Sequence, residues 1–488
     1  MTSQENGKNG STPKYTRIQQ QSENPFASLI PDQQIAIIPS FTLESGVTLH
    51  NVPLAYTTRG KLSTGADNVM VICHALTGSA DVSDWWGPLI GGPGRAFDTS
   101  RFFVVCMNSL GSPYGTASPV TAKDGDPEKG NYGPEFPLTT IRDDVNLHKL
   151  LLDELGVREV AAVIGGSMGG MLVLEWAYFG KDYVRCIVPI ATSSQHSAWG
   201  ISWGEAQRQS IYADPKYEDG YYTFSDPPAT GLGAARMAAL LTYRSRNSFE
   251  ARFGRNIPDP ARRQTIRERP RPATPSEAHF QIHNDGHKTK RLSASSSRTN
   301  TPSQTSNSGE ATSVSLDPQF SGPKPGSLTG GESFPSSTYF SAQSYLRYQG
   351  EKFVKRFDSN CYIAITRKLD THDISRYRAE SIAKALALIE QPTLVLGIES
   401  DGLFTFAEQE ELAEHIKNAK LEKIDSQEGH DAFLLQFEQV NRYILEFLSE
   451  ILPDIMKKSG SNVEAASVGQ LLKSSTFGEA EVEDIIAW

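Results

Sequence analysis

The run Val160-Ala161-Ala162-Val163-Ile164-Gly165-Gly166-Ser167-Met168-Gly169-Gly170 puts a hydroxyl between an apolar stretch and a helix-forming one that reaches Trp176. Residues 165–169 fit G-x-S-x-G, in which a nucleophilic serine occupies a tight turn from strand to helix. Such a turn strains the serine's dihedrals, and neighbours with a Cβ would meet the crossing strand and helix. The hydroxyl then stands above the sheet edge, and a helix N-terminus faces the oxyanion that develops beside it. A glycine-rich connection that merely contains a serine is the plainer alternative. The strand before Ser167 and the helix after it favour the nucleophile.

A serine in that setting needs a base and an orienting acid, arriving along the chain in the order Ser, Asp, His. The run "PTLVLGIESDGLF" supplies Asp401 just beyond a late strand, and "IDSQEGHDAFLL" supplies His430 between the last strand and the final helix. Most of the ten histidines fall elsewhere, in tail, lid or insert, and His148 sits in a helix before the turn. Asp425 competes for the acid, but it lies only five residues before His430 and reads as a strand-end carboxylate. Ser167, Asp401 and His430 are therefore the expected triad. One oxyanion donor is expected from the backbone N–H of Met168. The other is expected from Leu76, in the turn after the buried strand of "VMVICHALTGSADVSDWW". His74 in that turn reads as a packing residue. Such a constellation would carry acyl transfer through a serine ester.

These residues need a scaffold. "QIAIIPSFTLESGVTLHNVPLAYTTRG" alternates as antiparallel strands do, and apolar runs then alternate with helical patterns. The runs at 68–76, 101–110, 159–166, 184–192, 391–400 and 420–426 read as strands. Helical patterns separate them, at 140–156, after Ser167 and at 404–419, and a long one closes the domain from 431. That order means an α/β domain with a mostly parallel sheet covered on both faces. Its two parts, 27–195 and 389–455, flank a helical lid at 196–388. Within the lid, 256–340 is so rich in Ser, Thr, Pro and charge that it reads as a disordered insert. Its basic cluster from Arg262 to Arg271 is best taken as part of a solvated insertion. Residues 1–26 read as a disordered tail, and 456–488 as a C-terminal extension.

Composition removes several classes. A formal charge of −10 argues against nucleic-acid binding. Cys73, Cys106, Cys186 and Cys361 form no CxxC pair, which suggests buried thiols rather than a disulfide framework or a metal site. The polar N-terminus has no signal-peptide core, and no run approaches the ~18 apolar residues of a membrane helix. A soluble cytoplasmic protein is the expectation.

The segments "CHALTGSAD", "DTSRFFVVCMNSLGSPYGTASP", "FPLTTIRDDVNLHKLLLDELGV", "GGSMGGMLVLEWA", "GLGAARMAALLTYRSRNSFEARFGR", "SDGLF" and "EGHDAFL" together resemble the homoserine O-acetyltransferase family, in its fungal type with a lid insert. The resemblance covers about 35–255 and 341–450. It implies an α/β-hydrolase fold with a helical lid, and transfer of acetyl from acetyl-CoA to the hydroxyl of L-homoserine for methionine synthesis. Acetyl-CoA would be a co-substrate, with no permanently bound cofactor and no metal. By the resemblance, Arg236 would bind the amino acid's carboxylate and Asp431 its ammonium, with Tyr243 adding a contact. A lid salt bridge for Arg236 and a helix cap for Asp431 are the plain alternatives. A homodimer through the lid helices is also implied. Rival readings are another acceptor (serine or deacetylcephalosporin C), a succinyl donor, an esterase-type hydrolase, or a scaffold that keeps only the fold.

Overall fold

The computed structural model describes residues 14–257, 274–287 and 340–458. Nine strands make one sheet: β1 Thr16–Ile18, β2 Gln34–Thr42, β3 Thr48–Arg59, β4 Val69–Cys73, β5 Phe103–Met107, β6 Val160–Gly166, β7 Ile187–Ile190, β8 Thr393–Gly397 and β9 Ala419–Lys423. Their spatial order is β1-β2-β3-β5-β4-β6-β7-β8-β9. The β1/β2, β2/β3 and β3/β5 pairs are antiparallel, and every later pair is parallel. The all-buried runs β4, β6, β7 and β8 are the parallel centre, as near-continuous apolar strands must be when helices cover both faces. In β4 the side chains alternate between two cores. Val69, Val71 and Cys73 join one, and Met70 and Ile72 join the other.

Two helices that follow central strands pack against each other. Helix α1, Ile141–Glu154, opens with a reciprocal cap between Thr140 and Asp143, and its chain turns away at Gly156 with φ +79°. Helix α2, Met168–Ala177, is buried throughout and leads directly out of β6. Between β7 and β8 the chain builds the lid: α3 Ala198–Tyr212, α4 Ala229–Tyr243, α5 Arg246–Arg252, α6 Pro275–His283, α7 Ser341–Phe353 and α8 Ser359–Asp370. α4 packs on both α3 and α7. At the α4/α7 crossing a Cβ on Gly350 would sit 2.9 Å from Gly233 O, so glycine sets how closely the helices approach. Helix α9, Phe406–His415, and helix α10, Phe437–Ile451, return to the sheet.

Three expectations change. The segment 14–26 is structured: β1 pairs with β2, Tyr15 is buried, and Arg17 bonds Tyr56 and Glu154. Its polar residues look like those of a tail because they satisfy backbone instead of filling a core. Gln21 donates to Gly115 O and Asn24 to Pro113 O, both at 2.9 Å. Residues 1–13 lie outside the described residues. Within the insert, α6 is helical, with Thr274 as its N-cap, Ala278 buried, and Asp285 paired to Arg347 at 3.0 Å. The remainder of the insert, with the cluster from Arg262 to Arg271, lies outside the described residues, as does the extension beyond 458. The closing helix is interrupted at Gln436, where ψ +53° separates Ala432–Leu435 from α10. No described helix is long and apolar enough to cross a membrane.

Candidate active site

Ser167 ends β6 and caps α2 with φ +59° and ψ −127°, a conformation L-residues reach only when their surroundings impose it. The glycines around it answer to specific neighbours. A Cβ on Gly166 would lie 2.4 Å from the Phe433 ring, and one on Gly169 would lie 2.2 Å from Cys73 O. The first gap lets the segment after His430 close over the turn. The second lets α2 cross the end of β4. The turn is also pinned through its backbone: Ser167 N–H donates to Ile190 O at 2.9 Å, and Thr192 Oγ1 donates to Ser167 O at 2.8 Å.

From this turn the Ser167 hydroxyl lies 2.9 Å from His430 Nε2, and His430 Nδ1 lies 2.7 Å from Asp401 Oδ2. The other Asp401 oxygen accepts the amides of Leu403 at 2.8 Å and Phe404 at 3.0 Å. The loop after β8 therefore clamps the carboxylate before the histidine reaches it. A carboxylate on Nδ1 fixes that nitrogen as the donor and leaves Nε2 to accept the serine proton. The imidazole sits among Phe404, Phe433 and Tyr243, with ring centroids 5.4 to 6.2 Å away. Ser167, His430 and Asp401 are all nearly buried. Asp425 is outside this set; its N–H instead meets Gln439 at the surface.

A cavity opens over Ser167 and His430. Ala75, Leu76 and Thr77 line it from the β4 turn, Trp203, Gln207, Thr242 and Tyr243 from α3 and α4, and Leu369, Leu403, Phe404 and Phe433 from other sides. Met168 N–H, as the first amide of α2, has no acceptor within the helix, which makes it available at the helix N-terminus. His74 packs as the sequence suggested. Its Nδ1 contacts Ala75 O at 2.8 Å, Ser109 N–H donates to its Nε2 at 3.1 Å, and burial pushes it down to about 4.

The three residues expected to hold the acceptor are partly rearranged. Tyr243 and Asp431 line the cavity. Arg236 is buried one layer behind, with its guanidinium 5.4 Å from the Tyr243 ring and 4.8 Å from the Phe353 ring. Asp431 does not cap a helix with its side chain; its Oδ2 accepts Arg244 Nε at 2.9 Å. Arg244 was missed in the sequence, although it directly follows Tyr243. It also donates to Glu428 at 2.7 Å, and Glu428 accepts from Arg252 and Ser248 as well. Burial alone would lower the Arg244 pKa, but Asp431 and Glu428 outweigh it and hold the charge. Arg356 was missed too: it donates to Thr77 O at 3.1 Å and to Tyr114 OH at 2.8 Å, bracing the β4 turn. Among the described residues no group of His, Cys, Asp and Glu is arranged to hold a metal ion.

Sheet, lid and serine turn together define an α/β-hydrolase fold with a serine at the strand-to-helix elbow. The family model for the alpha/beta hydrolase fold matches residues 68–303. An esterase, E22, superposes with TM-score 0.62 at 22% identity over 85% of this chain and 99% of its own. Homoserine O-acetyltransferase from Bacillus anthracis superposes equally well, at 20% identity over 88% and 98%. At those identities the likeness is one of fold, shared by hydrolases and transferases. Sequence separates them. The homoserine O-acetyltransferase of Emericella nidulans is 67% identical over 98% of this chain and 99% of its own, and that of Ascobolus immersus is 60% identical over 99% of each. That of Saccharomyces cerevisiae is 55% identical over 94% and 95%. The chain belongs to the homoserine O-acetyltransferase family of acyltransferases.

Proposed function

We propose that this chain transfers an acetyl group from acetyl-CoA to the hydroxyl of L-homoserine, giving O-acetyl-L-homoserine for methionine synthesis in the cytoplasm. The observation that carries this is the 67% identity over almost the whole of both chains to the homoserine O-acetyltransferase of Emericella nidulans. The contacts among Ser167, His430 and Asp401 support a covalent order of steps. Ser167 Oγ attacks the thioester carbonyl while its proton passes to His430 Nε2. The C–S bond breaks, and coenzyme A leaves as the thiol with that proton. The acceptor hydroxyl then gives its proton to His430 and attacks the acetyl-serine, and Ser167 recovers its hydrogen as the ester bond breaks. Asp401 holds the imidazole and stabilises its cationic form between the two proton transfers. Met168 and Leu76 amides receive the negative oxygen in each half.

The acceptor's ammonium is assigned to Asp431 and its carboxylate to Arg236, whose guanidinium lies 5.4 Å from the ring of the cavity-lining Tyr243. Apolar walls from Trp203, Leu369, Phe404 and Phe433 disfavour water beside the ester, which supports transfer over hydrolysis. The test measures thiol release from acetyl-CoA with homoserine, with serine, with deacetylcephalosporin C and with water alone, and repeats the homoserine assay with succinyl-CoA. Homoserine-dependent release with the acetyl donor is the expected result; equal release in water would make the protein an esterase. The reading includes a homodimer through α3 and α4, which expose Trp199, Ile201 and Leu241. Light scattering of a Leu241→Glu variant, expected to be monomeric, tests it.

A further inference from the structure

The peptide unit between Ala75 and Leu76 is held unusually firmly for part of a loop. Its carbonyl receives Gly78 N–H at 2.9 Å and the His74 ring at 2.8 Å. The ring's hydrogen is assigned by its other contact: Ser109 N–H can only donate, so Nε2 accepts and Nδ1 carries the proton toward Ala75 O. The loop that supplies Ser109 is itself anchored. Leu110 N–H donates to Asp144 at 2.7 Å, and Lys368 from lid helix α8 donates to both Leu110 O at 2.7 Å and Asp144 at 2.5 Å. Asp144 and Lys368 are fully buried.

The described chain has no cis peptide, so Leu76 N–H points opposite to Ala75 C=O. Two donors on that oxygen fix the plane in which the N–H lies, and they strengthen it as a donor by polarising the amide. Ala75, Leu76 and Thr77 line the cavity that holds Ser167 and His430. We propose that His74 is a positioning residue for acyl transfer, holding the Ala75–Leu76 peptide so that Leu76 N–H faces the oxyanion formed at Ser167. This rests on the reading of Ser167 as nucleophile and Leu76 as oxyanion donor.

Two substitutions separate this role from simple packing. In His74→Asn the amide nitrogen occupies the place of Nδ1 and keeps the donor to Ala75 O, but Ser109 loses its acceptor. In His74→Gln the amide oxygen occupies the place of Nε2 and keeps Ser109 satisfied, but Ala75 O loses the ring donor and keeps only Gly78 N–H. Single-turnover acetylation of Ser167 by acetyl-CoA should slow by about 30- to 1,000-fold in His74→Gln, with the thioester concentration for half-saturation changed less than about threefold. His74→Asn should recover at least about tenfold of that loss while melting at the lower temperature. A His74→Gln rate equal to wild type, or a His74→Asn rate no better than His74→Gln, overturns the proposal.

A second measurement keeps the test open if either variant fails to fold. Replacing Leu76 by its α-hydroxy analogue in the otherwise natural chain removes the N–H, weakens Ala75 O as an acceptor, and should slow acetylation about 100- to 1,000-fold. No effect there means that Leu76 is not the donor, and the proposal falls with it. Absence of any acetyl on Ser167 in wild type would instead sink the underlying reading, which the intact protein's mass reports separately.

Discussion

At the sheet edge, three side chains drawn from distant parts of the chain meet through hydrogen bonds of 2.9 and 2.7 Å, with the Ser167 main chain and the Asp401 carboxylate each held by backbone groups. In the lid, two arginines near the cavity are held by aromatic faces and paired carboxylates: Arg236 beside Tyr243 and Phe353, Arg244 on Asp431 and Glu428. Hydrogen bonds to backbone fix an atom within tenths of an ångström, as proton transfer requires. Stacking and ion pairs fix a charge more loosely, which suits recognition of a small charged acceptor. The two regions are joined where Lys368 of the lid meets Asp144 of the core, both side chains fully buried. On the proposed reading, chemistry belongs to one region and selection to the other, and each can be damaged separately.

The sharpest break is Ser167→Ala. Acetyl-CoA turnover should fall at least ~10⁴-fold and the acetyl-enzyme disappear from the intact mass. The fold should survive, since alanine asks for less room at φ +59° than serine does. Turnover persisting in this variant would move the chemistry away from the sheet edge. Next in size is the joint between regions. Lys368→Met leaves the Asp144 carboxylate buried and unpaired, and unfolding in urea should report a loss of ~3–5 kcal/mol. Lys368→Met combined with Asp144→Leu should recover most of it, because the uncompensated charge is then gone. A single variant as stable as wild type would mean that the pair does not join lid to core.

A smaller effect tests selection. Arg236→Ala should lower kcat/KM for homoserine by ~1.5–3 kcal/mol, roughly ten- to over a hundredfold, through the acceptor half alone. Acetylation of Ser167 should be nearly unchanged. Since Arg236 stands behind Tyr243 instead of lining the cavity, the split between half-reactions is what matters. Equal losses in both would make Arg236 a support for the lid.

The sheet edge was legible in the sequence because its constraints are local. Glycines answering to Cys73 O and the Phe433 ring, a serine between strand and helix, and an acid and a histidine each placed just after a strand all leave marks on short segments. The lid was less legible. Its helices were visible as patterns, but the partner of Asp431 depends on how α4 meets the loop before α10. Nothing in "LTYRS" says that the arginine pairs with it. Residues 14–26 were misread for a related reason: Gln21 and Asn24 serve carbonyls of a loop almost a hundred residues away, and polar composition alone looks the same in a tail.

The joint between lid and core also has a rim, and comparing it with Lys368 and Asp144 gives the smallest expected effect. Arg376, after α8, pairs with Glu44 at 2.7 Å, and Arg142 of α1 pairs with the other Glu44 oxygen at 2.9 Å. Water reaches these groups, with side-chain exposures of 28% for Arg376 and 16% for Glu44. Arg376→Gln should therefore cost under ~1 kcal/mol at pH 7, and less as salt is added. Its pH dependence follows from Glu44. Burial alone would raise that carboxyl, but the hydrogen bonds from Thr140 and Arg376 and the charge of Arg142 outweigh it and hold the pKa below its usual 4.5. A depressed carboxyl contributes stability fully above its unfolded pKa and loses it as pH falls through the folded one. The difference between wild type and Arg376→Gln should accordingly be constant from pH 7 to about 5 and shrink below that as Glu44 takes a proton. Urea midpoints for the two proteins at pH 7, 5 and 3.5 measure it. A gap that widens in acid would show that Arg376 stabilises through something other than the Glu44 carboxylate.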